Sequence, residues 1–216
     1  MPAPYLILEQ KDRIAVEGKE RQRVLRRVRS LERVEHPNAR STTISRIEFP
    51  FYTDVDLLEL KNPRWANTAA RLCFLNHGHS LSWLDGKSSP IHSVNAKADL
   101  RITETNVLEY LAFFCFFIRG ERGPYLIVDR LDNMFIPGGI DRSTFERRFR
   151  SPKIFGQDHN GDWRVSALVY YADAIYFADF LVRLDGTIKM LDDWPVVANL
   201  GDEVDAPLSA TRAFDR

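Results

Sequence analysis

The chain has 216 residues, 44% hydrophobic and 28% charged, and its 30 basic and 30 acidic residues cancel. That length suits one large or two small domains with the balance of an ordinary globular protein. A net charge of zero excludes a global field drawing the chain onto nucleic acid or anionic lipid, so such a partner has to meet a local patch.

Cys73 and Cys115 sit in the apolar runs RLCFL and FFCFF, where cysteine acts as a small hydrophobe, and they form no disulfide framework. The N-terminus has an apolar run only over 5–8 and no basic stretch before it, unlike a signal peptide. These features predict a soluble protein of the reducing cytoplasm.

In chain order, residues 1–40 read as a peripheral segment with an N-terminal strand and a charged helix. Over 18–36, Val24, Val28 and Leu31 recur at helical spacing beside Leu25, a narrow stripe on an otherwise charged surface. Pro37 ends it, because the residue before proline disfavours the α region. Residues 44–60, ISRIEFPFYTDVDLLEL, alternate and carry β-branched and aromatic residues, which predicts a strand interrupted at Pro50. Asn62-Pro63 then offers a cap and a proline at a first helical position. Residues 63–76 fit a helix through Trp65, Ala69, Leu72 and Cys73, or strands around His77-Gly78; the pattern favours a short helix followed by a hairpin.

The run EYLAFFCFFIRG at 109–120 contains Glu109 and falls well short of the ~20 apolar residues a membrane span needs. It predicts a helix over 104–118, capped by Thr103 or Thr105 and closed by Gly120 at the C′ position. Apolar on nearly every side, this helix belongs inside the core with Phe114, Cys115 and Phe117 buried. GPYLIVDR follows as a strand, and STFE at 143–146 is a capping box opening a basic helix that stops before Pro152.

WRVSALVYY, AIYFADFLVRL and TIKML read as strands of an antiparallel meander, with Asn160-Gly161 and Asp185-Gly186 at its turns. The Asp-Gly pair predicts a hairpin with positive φ at both turn positions. On the middle strand Tyr176, Ala178, Phe180, Val182 and Leu184 share one face; Ile175, Phe177, Asp179, Leu181 and Arg183 share the other. The fold class is α+β: a C-terminal antiparallel meander packed on a buried apolar helix, in a single domain over 41–200. Residues 201–216 read as an acidic, loosely ordered tail.

Several features carry chemistry in principle. His77 and His79 place two imidazoles at i and i+2, with Asp85 or His92 as a third ligand, but two ligands of no known spacing do not define a metal site. Cys115 among phenylalanines lacks the electropositive setting of a reactive thiolate. Asp54 and Asp56 share a strand side, and Asp179 lies among aromatics with Arg183 as the expected partner. PGGID at 137–141 has no Walker lysine and no phosphate-binding unit around it. Two basic clusters remain, Arg23, Arg26 and Arg27 on the first helix, and Arg147, Arg148 and Arg150 with Lys153 near Phe145, Phe149 and Phe155.

No complete catalytic constellation is legible, and neither cofactor nor metal is expected. The reading is a non-catalytic binding or accessory protein that engages another protein, with Arg23, Arg26, Arg27, Arg147, Arg148 and Arg150 as its binding residues. The second reading is a small-molecule enzyme or ligand-binding protein with a pocket between helix and sheet, holding Asp179, Tyr170 or Tyr176, and His92. The third is nucleic-acid binding through the arginine clusters, where basic and aromatic side chains alternate.

Overall fold

The structure, a computed structural model, describes residues 8, 11–31, 37, 40–129, 142–201 and 208. The chain divides into two compact units, one of residues 11–99 with 206–216 and the other of residues 100–205 with 1–10.

The first unit holds β1 (Ile14–Ala15), α1 (Gly18–Arg29), β2 (Thr43–Glu48), β3 (Val55–Lys61), β4 (Leu72–His77), β5 (Ser80–Trp83) and α2 (Ser89–Asn95). Its strands form one antiparallel sheet in sequence order. The stretch expected as one strand broken at Pro50 is two strands paired as a hairpin, Ile44 opposite Leu60 and Arg46 opposite Leu58. The short helix expected within 63–76 is absent. Asn62 accepts the Arg64 N–H on its side chain and the Trp65 N–H on its carbonyl, so a turn forms instead and the strand starts at Leu72. The hairpin around Gly78 is present, and Gly78 takes a positive φ of 56°.

Helix α1 packs its apolar stripe against the sheet. Its stripe of Val24, Leu25 and Val28 is buried with Ile44, Leu58, Leu60, Leu72 and Phe74 in one cluster. Leu58 lies opposite Phe74 and Leu60 opposite Leu72, so these four share a sheet face.

The second unit holds α3 (Val107–Phe117), β6 (Arg119–Gly120), β7 (Gly123–Pro124), β8 (Leu126–Val128), α4 (Arg142–Arg148), β9 (Lys153–Gln157), β10 (Trp163–Tyr171), β11 (Ala174–Val182) and β12 (Ile188–Val197). Its main sheet runs β12-β11-β10-β8, with β9 also paired to β10, all antiparallel. The α+β class and the antiparallel meander are thus present. Val165, Ala167 and Val169 share one face with Phe180, Ala178 and Tyr176; Ser166 and Leu168 share the other with Asp179 and Phe177.

Helix α3 is buried nearly all round, including Phe114, Cys115 and Phe117. Tyr110 donates to the carbonyl of Gly186 at 2.7 Å, tying the helix to the β11–β12 turn. Neither terminus is closed as expected. Asn106 stands at the N-cap, accepting from the Thr103 N–H and donating to the Arg101 carbonyl. At the other end Ile118 is already extended (φ −88°, ψ 136°), and the Arg119 guanidinium reaches the carbonyls of Phe116 and Ile118. Gly120 lies in β6, outside the positive-φ residues. The Asp185-Gly186 turn also departs from the expected type: Gly186 has φ 80° while Asp185 is not left-handed, and its carboxylate accepts the Thr187 N–H at 2.7 Å.

Among the described residues no helix is long and apolar enough to cross a membrane. The segment PGGID and nearly all of the expected tail lie outside the described residues.

Candidate functional site

The second basic cluster is carried to the face of the main sheet that holds Ser166 and Phe177. Helix α4 ends there, and the chain continues into β9 through Arg150, Ser151 and Lys153. A groove of about 620 Å³ opens between these residues, Phe155, Ser166, Phe177 and the β12 residues Pro195 and Val196, with Arg148 on its wall.

Each cation has a local reason for its place. Arg148 donates to the Val196 carbonyl at 3.0 Å, which spans from α4 to β12. Arg150 donates to the Phe149 and Arg147 carbonyls at 2.8 and 3.1 Å, where cations complement a helix C-terminus. The Lys153 ammonium lies 4.9 Å from the centre of the Phe155 ring. Phe155 is 57% exposed, because β9 bulges against β10 between Arg164 and Val165 and turns this side chain outward. Phe177 continues the aromatic surface to the exposed Trp194, ring centres 5.9 Å apart. Arg147 is exposed on α4, outside the lining.

The first basic cluster belongs to the other unit. Arg23 and Arg26 are exposed on α1, whereas Arg27 is half-buried; burial pushes its pKa below the usual arginine value, with repulsion from Arg23 adding to it. Arg21, in the same run, donates to the Thr42 carbonyl at 2.8 Å. This cluster thus mixes solvated and structural groups.

Of the residues expected in the pocket, Tyr170 shares the sheet face of Asp179. Tyr176 and Asp179 project to opposite faces of β11, since their separation is odd. His92 lies on α2 of the other unit. Asp179 stands opposite Asp192 and lines a cavity of about 290 Å³ with Arg164, Phe155 and Leu191. Its expected partner Arg183 points instead to Asp162, at 3.8 Å. The space between α3 and the sheet is lined by other residues: Phe114, Cys115, Ile118, Tyr125, Val169, Phe180, Ile188 and Met190. Burial pushes the Cys115 thiol up to about 12, which keeps it protonated.

His77 and His79 flank the β4–β5 turn. His77 meets the Asp54 carboxylate at 3.0 Å, Asp54 also accepts the Asp99 N–H at 3.0 Å, and His79 is exposed. Among the described residues no three His, Cys, Asp or Glu side chains are grouped as a metal would require. Asp56 is half-buried, and burial raises its pKa; Arg46 and the Asn76 side chain pull it down, Glu48 and Glu20 push it up.

Sequence reasoning missed Glu59, whose carboxylate is almost fully buried. Arg13 and Arg71 each meet it at 3.0 Å and Lys61 at 3.3 Å. A charged residue in the otherwise apolar run LLELK was the available signal, and a buried carboxylate with three cations is a structural cluster. No protein-family model matches the chain, and neither a curated protein nor a solved structure shows significant similarity to it.

Proposed function

We propose that this protein is a non-catalytic binding protein that engages another protein, and that the α4–β9 groove takes an acidic segment of that partner. The observation that carries this reading is the grouping of Arg148, Arg150 and Lys153 around the exposed ring of Phe155 and the half-buried Phe177. Arginine and aromatic side chains at a concave surface are the residue types that dominate the energy of protein interfaces. Three cations beside them favour carboxylates and disfavour basic partners. The zero net charge of the whole chain makes this a local attraction, effective over about 10 Å at 0.1 M salt. The arginines of α1 offer a second, weaker contact.

The test is fluorescence anisotropy with a labelled peptide alternating Glu with Phe or Leu, its Lys-for-Glu counterpart, and single-stranded RNA. The acidic peptide is expected to bind, more weakly as salt rises, and Arg148→Glu with Lys153→Glu to lower affinity at least about tenfold. Preference for the basic peptide, or indifference to the double charge reversal in a folded variant, overturns the reading. Tight RNA binding with the peptides ignored replaces it by the nucleic-acid reading.

A further inference from the structure

A second concavity lies on the opposite face of the same sheet from the groove. It sits beneath the last turn of α3 and measures about 140 Å³. Phe114, Cys115 and Ile118 line it from the helix and its end, Val169 from β10, Phe180 from β11, Ile188 and Met190 from β12, and Tyr125 from the side. Val169 and Phe180 lie on the face that carries Val165 and Ala178, whereas Ser166 and Phe177 of the groove lie on the other.

Its size is that of a guest with about one aromatic ring. An enclosed apolar void of ~150 Å³ admits benzene or xenon, and this concavity has a similar volume but opens to solvent on one side. The lining offers water little. A resident water needs two to four polar partners, and among the described residues the polar side-chain atoms of the lining are the Cys115 sulfur and the Tyr125 hydroxyl. The thiol is protonated and a weak donor. The Tyr125 hydroxyl lies with that of Tyr171 beside Gly120, and the two rings stack at 4.3 Å. Met190 is the most exposed of these lining residues, at 42%, and Ile188 beside it on β12 is half-buried. An unbranched thioether at the mouth swings between rotamers at little cost, giving a way in.

We propose that this cavity is a binding site for a small uncharged apolar molecule, a single aromatic ring or a short alkyl chain. The lining selects against charge, since an ion there would lose its hydration with no partner to replace it. It also selects against a peptide side chain, which brings backbone N–H and C=O groups to a mouth walled by Met190 and Ile188. The site is independent of the groove and of the reading built on it.

The test is methyl-resolved NMR of the full chain titrated with benzene, n-hexane and benzoate, alongside thermal unfolding. Benzene and hexane are expected to produce saturable shifts at the methyls of Ile118, Val169, Ile188 and Met190 and to raise Tm. Benzoate at the same concentrations is expected to do neither. Val169→Phe fills the void and Met190→Trp caps its mouth, and each is expected to abolish saturable binding. Met190 is exposed enough for its variant to fold, and it decides the matter should Val169→Phe unfold. Arg148→Glu with Lys153→Glu is expected to leave guest binding unchanged. Absence of saturation up to the solubility limit, equal binding of benzoate, or undiminished binding in folded Met190→Trp overturns the site.

Discussion

At Gly120 the absence of a side chain decides the local packing. A Cβ there would collide with the hydroxyls of Tyr171 and Tyr125, whose rings are stacked. Gly120→Ala is therefore expected to lower stability by about 1–3 kcal/mol, measured by urea unfolding. Position after an apolar run suggested a left-handed helix terminus, but close approach of two aromatic hydroxyls is the reason glycine stands there. Asp56 gives a prediction with a sign. Its folded pKa lies above the usual aspartate value because of burial, so the native state holds the proton more tightly than the unfolded chain. Stability consequently falls as pH rises from the usual value through the raised one. Asp56→Asn removes that loss, and its new amide group has an acceptor in the Asn76 Oδ1, which is buried and unsatisfied. The variant is expected to melt about 1–4 °C higher at pH 7 and to show no gain near pH 3, by calorimetry. Neither tyrosine contact nor Asp56 burial was legible in the sequence, because both depend on residues distant along the chain.

Helix α1 shows what periodicity conveys and what it omits. The stripe of Val24, Leu25 and Val28 was readable from spacing alone, yet its narrowness pointed to a segment at the periphery. The sheet partners Ile44, Leu58, Leu60, Leu72 and Phe74 make that stripe part of a core. Deleting residues 1–40 removes β1 and α1 and exposes those side chains, so the truncated chain is expected to lose cooperative unfolding, observed by circular dichroism. A truncation with an unchanged transition would return the helix to the periphery. The meander strands were legible for the opposite reason: their alternation is long, and Gly161 and Gly186 at the turns take the positive φ of 82° and 80° that glycine permits. Residues 63–71 were misread because Pro63 fits the start of a helix and a turn equally well, and the Asn62 hydrogen bonds select the turn.

For the whole molecule, cancelling charges set the solution behaviour. With a sequence pI near 7.0, turbidity at fixed concentration is expected to peak near pH 7 and fall on either side. A maximum displaced by more than about one pH unit would mean that buried charges, not the exposed total, govern association. By itself the sequence determined the α+β class, the antiparallel meander, the burial of Phe114, Cys115 and Phe117, and the basic–aromatic character of 147–155. These are properties of short windows, where side-chain period and hydrophobicity bias the backbone directly. The tertiary structure decided the division into two units, the wall that Arg148, Arg150 and Lys153 form with Phe177 and Pro195, the separation of Tyr176 from Asp179, and the void under α3. Each depends on pairing register and on bulges, which bring together side chains far apart in the chain and which no local window encodes.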